Sequence, residues 1–339
     1  MSEDVRTKLQ ALSSGQSMRK RQSPKRKKST PKEQEQKPQV DVQDVSHETD
    51  SVEEHANVLF KPNEGPQTEF LAASEREVLY GGSAGGGKSY AMLADPLRYM
   101  GHPQFSGLLL RHTTEELREL IFKSQELYPK IWPGIKWSER KMQWTAPSGA
   151  RLWMSYLDRD EDVLRYQGLA FSWIGFDELT QWATPYAWNY MRSRLRSTAT
   201  DLPIFMRATT NPGGRGHHWV KKMFIDPSPY NRSFDATDIE TTEVLRYPAG
   251  HSKAGKPLFK RRFIPARLSD NPYLAQAGDY EAMLLSLPEQ QRRQLLEGDW
   301  DIKEGAAFTE FDRHVHVIEP FDIPNNWVKF RSCDYGYGS

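Results

Sequence analysis

Gly82-Ser83-Ala84-Gly85-Gly86-Gly87-Lys88-Ser89 satisfies the pattern G-x-x-x-x-G-K-[ST] at every position. The preceding Glu77-Val78-Leu79-Tyr80 is short and apolar enough for a buried strand, and Tyr90-Ala91-Met92-Leu93-Ala94 reads as the first turns of a helix. Strand, glycine-rich loop and helix in that order predict a phosphate-binding loop. Glycines let successive backbone N–H groups turn inward around a phosphate, at the positive end of the helix that follows. Lys88 can then reach the β- and γ-phosphates of ATP, and the Ser89 hydroxyl can take a place on Mg²⁺. All eight residues are thus expected at a nucleotide, with Lys88 also acting in catalysis.

Such a loop needs a sheet around it, and the chain supplies further strands. Gly107-Leu108-Leu109-Leu110-Arg111 reads as a buried strand ending in a cation. Thr114 to Lys130 carries apolar residues at helical spacing, the mark of a crossover helix. Trp137 to Tyr156 alternates aromatic and polar residues around Pro147-Ser148-Gly149, a hairpin signal. Phe171 to Phe176 leads into Asp177-Glu178, and Ile204 to Thr210 ends at Asn211-Pro212-Gly213-Gly214. Strands alternating with helices imply an α/β fold of the P-loop NTPase (ASCE) type. Its sheet is mainly parallel and covered by helices on both faces, with ligands at the carboxyl ends of the strands. From about 228 to 300 the chain turns polar and then helical, which suggests a lid-like subdomain.

Those strand ends carry the chemistry. Asp177 is expected to hold Mg²⁺ directly or through water. Glu178 is placed to orient and deprotonate an attacking water, which separates hydrolytic ATPases from P-loop kinases. Thr209, Thr210 and Asn211 can sense the γ-phosphate, and Gln67, just ahead of the first strand, can read the adenine edge with its amide. An arginine on the developing charge would complete the site, with Arg165, Arg192, Arg194 and Arg196 as candidates. A helix through this stretch would put Arg192 and Arg196 on one face. Arg165 and Arg194 are taken with Glu178 and Lys88 as the catalytic set.

The 46 Lys+Arg and 45 Asp+Glu nearly cancel, so overall charge does not announce a nucleic-acid partner. Two local clusters could neutralise DNA phosphates: Arg215, His217, His218, Lys221 and Lys222, and then Lys260-Arg261-Arg262. Residues 1–57 hold a basic block, few large apolar residues and no aromatic one, and are expected to be a disordered tail. A single cysteine, Cys333, rules out a disulfide framework and suits a reducing compartment. With no membrane-span-length apolar run, a soluble protein of the cytoplasm is expected.

Further phrases extend the pattern: Phe263-Ile264-Pro265-Ala266-Arg267-Leu268, Asp270-Asn271-Pro272 and Leu296-Glu297-Gly298-Asp299-Trp300. Together with the motifs above, in this order, the chain from about Phe60 onward resembles the large subunit of a tailed-bacteriophage terminase. The resemblance implies an ATP-hydrolysing motor that drives double-stranded DNA into a procapsid. Its implied partners are the portal protein, the small terminase subunit and further copies of itself in a ring, with no membrane. The place of work would be the host cytoplasm, transiently at the portal. Thr209 to Asn211 would be its coupling motif. The resemblance divides the chain into a tail (1–57), an ATPase domain (58–300), a linker (301–326) and the first strand of an RNase H-like nuclease domain (327–339). Asp334 would be that domain's first metal ligand. The other nuclease carboxylates are absent before Ser339, so DNA cleavage is not expected of this chain. A different ASCE translocase or helicase, or a nucleotide-binding fragment without turnover, are the alternatives.

Overall fold

The computed structural model describes residues 60–228, 231–302, 324, 326–328 and 330. Residues 1–302 and 303–339 form two units. The expected tail, nearly all of the linker, and Asp334 lie outside the described residues. Of the strand expected from Trp327, only 327, 328 and 330 are described, and none belongs to a strand; a turn closes where the Trp327 amide donates to the Pro324 carbonyl at 3.1 Å.

In the first unit a short helix, α1 (Pro66–Ala72), precedes β1 (Glu77–Gly82), the loop and α2 (Lys88–Ala94). β2 (Ser106–Arg111) and α3 (Thr114–Ile131) follow, then β3 (Lys136–Ser138), β4 (Gln143–Thr145), β5 (Arg151–Tyr156) and β6 (Trp173–Phe176). After α4 (Tyr186–Arg192) come β7 (Phe205–Thr210), α5 (His217–Val220), β8 (Ser233–Asp235) and β9 (Lys260–Ala266). The unit closes with α6 (Pro272–Ala277), α7 (Asp279–Leu285) and α8 (Glu289–Arg292), which runs on into a wider π-type turn over Arg293–Glu297.

The strands form one nine-stranded sheet in the order β3-β4-β5-β2-β6-β7-β1-β9-β8. Its middle, from β5 to β9, is parallel, and antiparallel pairs flank it on both sides. Alternation along the strands separates two cores. Leu108, Leu110, Ile174 and Phe176 face one, with Trp188 and Met191 of α4; Leu109 and Trp173 face the other, with Leu117, Leu120 and Tyr128 of α3. Each such side chain taken fully out of water stabilises by about 1.5–3 kcal/mol. The start of α3 is set by a capping box between Thr113 and Glu116.

Two expectations change. The helix holding Arg192 ends there, because the backbone of 194–196 turns to bridge Phe171: the Phe171 amide donates to Arg194 and the Arg196 amide to Phe171, both at 2.9 Å. Arg196 is therefore not on a helix face with Arg192. The helical part of the 228–300 segment is broken at Gly278, whose φ of 67° ends α6, and again at Pro288. The segment read as lid-like also contributes β9 to the main sheet, paired in parallel with β1. Among the described residues no helix is long and apolar enough to cross a membrane.

Candidate nucleotide site

The glycine-rich loop leaves β1 between β7 and β9. Gly82 runs so close to the next strand that a Cβ would stand 2.2 Å from the Ala266 carbonyl oxygen, and its φ is 143°. Gly87 takes the left-handed conformation, φ 77°, directly before α2. Tyr80, buried beneath, donates its hydroxyl to the Gly86 carbonyl at 2.6 Å and braces the loop. The Ser83 amide donates to the Ala266 carbonyl at 2.8 Å and the Ala84 amide to the Leu295 carbonyl at 2.6 Å. Asn271 donates its side-chain amide to the Gly85 carbonyl at 2.6 Å. Among the described residues nothing accepts from the amides of Gly85, Gly86, Gly87, Lys88 or Ser89. Those N–H groups are the ones a phosphate could take up.

Lys88 is buried and donates Nζ to the Ser83 carbonyl at 2.6 Å. Burial lowers its pKa, opposed by the charges of Glu178 and Asp177 nearby. Ser89 lies half-buried in the first turn of α2. Gln67 is buried under the loop, with its Nε2 donating to the Gly87 carbonyl at 2.8 Å and its Oε1 accepting from the Asn63 amide at 2.6 Å. Its amide thus holds the loop-to-helix junction.

β7 lies between the loop strand β1 and the acidic strand β6, so Thr209 to Asn211 separate the loop from Asp177-Glu178. Thr209 donates its hydroxyl to Asp177 Oδ1. Thr210 shares a hydroxyl–hydroxyl bond with Thr180 at 2.7 Å. Glu178 adopts φ 59°, a left-handed conformation uncommon for a residue with a Cβ, as the chain turns into Leu179–Gln181. Its Oε2 accepts from the Asn211 amide at 3.3 Å. Burial raises the Glu178 pKa and the Asp177 charge adds to that; Lys88, Arg111 and the Asn211 amide act against it.

The arginines part company. Arg192 pairs with Glu77 at the start of β1. Arg194 stacks on Tyr190 and lies beside Phe171, ahead of β6. Both sit at the amino-terminal end of the sheet, opposite Asp177, because α4 packs back along the strands. Neither they nor Arg196 reach the site within the chain. Arg165 is on the other side: its Nη2 is 3.0 Å from Asp162 Oδ1, and it lies over the ring of Tyr156, the last residue of β5.

The basic clusters are corrected too. Arg261 is 1% exposed and binds Glu77 at 2.7 Å. His217 is buried, accepting from the Gly213 amide at 2.8 Å and stacking on Trp300. Neither can meet a DNA phosphate. Lys221 pairs with Asp301 and Lys260 with Asp235, whereas Arg215, His218 and Lys222 are exposed.

Unforeseen in the site were Tyr80, Thr180 and Arg111. Arg111 alone had a visible signal, a cation at a strand end equivalent to Asp177. Tyr80 and Thr180 stand close to the motifs in sequence, but which atoms they bond, the Gly86 carbonyl and the Thr210 hydroxyl, is set by the fold.

A model of the terminase large subunit, T4-like virus type, N-terminal part, matches residues 79–314. The large terminase of a thermophilic bacteriophage, in complex with ADP, superposes with a TM-score of 0.51 at 16% identity, covering 78% of this chain and 60% of its own. Another crystal form of the same phage protein gives 0.52 at 16%, with the same coverage. This chain thus spans about 60% of the length of that large terminase, and at such identity the likeness is one of fold. No curated protein sequence matches.

Proposed function

The chain belongs to the terminase large subunits of the T4-like virus type, and from that premise we propose that it is the ATP-hydrolysing part of a motor driving double-stranded DNA into a procapsid. One observation carries the reading: β7 stands between the phosphate loop and Glu178, with its Asn211 amide on the Glu178 carboxylate. Loss of a phosphate from the loop could then be felt at the carboxylate and at the strand end together.

In this reading the amides of Gly85 to Ser89 bind the ATP phosphates and Lys88 leaves the Ser83 carbonyl for the β- and γ-oxygens. Glu178 orients the lytic water and takes its proton. Thr209, Thr210 and Asn211 sense the γ-phosphate. Asp177 and Ser89 would hold Mg²⁺, and the fit is physical: Asp177 Oδ2 is buried without a hydrogen-bond donor. When bound, the ion neutralises charge developing on the phosphates. Arg165, on the carboxyl side of the sheet and 45% exposed, is proposed to act on a neighbouring copy in a ring. The ring would bind the portal and work with a small subunit in the host cytoplasm. Duplex DNA would meet Arg215, His218 and Lys222. Asp334 is proposed as the first ligand of a nuclease metal site, which needs further carboxylates to bind two metals.

The test is phosphate release with Mg²⁺, duplex DNA and portal. Lys88→Ala is expected to abolish nucleotide binding, and Glu178→Ala to abolish release. Release indifferent to Glu178→Ala sinks the hydrolytic mechanism, and ATP binding that survives Lys88→Ala sinks the nucleotide site.

A further inference from the structure

Arg111 ends β2, and β2 pairs in parallel with β6 so that Leu110 lies opposite Phe176. The next residue on each strand, Arg111 and Asp177, therefore leaves the sheet at the same end and side by side. Arg111 Nε is 3.3 Å from Asp177 Oδ2, and Arg111 is 9% exposed. The charges attract, yet the direction is not that of a hydrogen bond. Nε and Nη1 of Arg111 and Oδ2 of Asp177 are all buried without a hydrogen-bond partner among the described residues. Asn211 Oδ1, after β7, and Gln181 Oε1, after β6, are in the same condition. Buried polar groups are almost always satisfied in folded proteins. Five unsatisfied atoms on four residues around the carboxyl ends of β2, β6 and β7 mark a place built for a polar ligand.

We propose that Arg111 binds the terminal phosphate of a nucleoside triphosphate from within the same chain. The inference rests on reading Gly82–Ser89 as the nucleotide loop. The strand order gives the choice of phosphate: the loop leaves β1, and Arg111 leaves β2, beyond both β7 and β6. Only the end of the triphosphate farthest from the loop-to-helix junction extends toward that side. A guanidinium presents a fork of donors that matches phosphate oxygens, and Nε and Nη1 of Arg111 make no hydrogen bond among the described residues. Arg111 lies 3.3 Å from Asp177 and its charge also acts on Glu178, so one side chain would link the carboxylates' surroundings to the phosphate they act upon. Arg192 and Arg194 lie at the opposite end of the sheet, and Arg165 rests on Tyr156.

The experiment measures binding, not turnover: calorimetry of Mg²⁺–ADP and of a non-hydrolysable Mg²⁺–ATP analogue on the chain, unaltered and as Arg111→Gln and Arg111→Lys. Loss of a charge-assisted hydrogen bond is expected to weaken the triphosphate in Arg111→Gln by about 10- to 100-fold, and the diphosphate by less than about 2-fold. Arg111→Lys is expected to recover part of the loss. Equal weakening of both nucleotides in both variants, or none in either, overturns the proposal. Lys88→Ala is the separate control: if it binds ADP as the unaltered chain does, the nucleotide reading itself fails, whatever Arg111 does.

Discussion

The backbone amide of Asn211 donates to the Glu178 carboxylate at 3.3 Å, joining the ends of neighbouring strands β7 and β6. The acceptor is a side chain and the donor is backbone, so the two properties of Glu178 can be separated. Glu178→Gln keeps an acceptor for Asn211 and loses the base. It is expected to lower ATP turnover by about 10²- to 10⁴-fold while thermal unfolding stays unchanged. Glu178→Ala loses both, and calorimetric melts should show an additional cost of about 1 kcal/mol.

Gln67 spends its amide on Gly87 and Asn63, which makes it a brace of the loop in this conformation. Gln67→Ala removes both bonds at the start of α2. Affinity for ATP and ADP should fall together, by about 10-fold, from a loss near 1–1.5 kcal/mol. A purine-specific loss, seen by comparing ATP with a pyrimidine triphosphate, would instead assign Gln67 to the base.

Gly82 admits no side chain. A Cβ there meets the Ala266 backbone oxygen at 2.2 Å, and neither strand can retreat without breaking the β1–β9 pairing. Gly82→Ala is expected to destabilise by about 3 kcal/mol or more, through overpacking and a disfavoured φ together. Denaturant melts would register it as a lower midpoint at unchanged slope.

Glu77 opens β1 with no exposure, held between Arg261 at 2.7 Å and Arg192. Burial pushes its pKa up, but the two guanidinium groups outweigh that and hold it below its ordinary value of 4.5. A lowered carboxyl stabilises the fold above its ordinary pKa and loses that contribution as pH falls through the folded one. Glu77→Gln leaves two cations without their counter-ion and should cost about 3–5 kcal/mol at pH 7. The gap between variant and unaltered chain should narrow steadily as the melts are taken below pH 4.5.

What could be read from residues alone was local. The spacing of Gly82, Gly87, Lys88 and Ser89 determines a phosphate loop because each residue acts through its own backbone or a short reach. An apolar run ending in Asp177-Glu178 likewise declares itself, since strand and carboxylates are consecutive. Tertiary structure decided everything that depends on strand order. Only the sheet shows that β7 lies between loop and carboxylates, that Arg111 stands beside Asp177, and that Arg192, Arg194 and Arg261 serve the opposite end or the interior. Charge in a sequence has no address: an arginine reads the same whether it faces water, a buried glutamate or a phosphate. Here the parallel register of β2 with β6, and of β1 with β7 and β9, supplies the addresses.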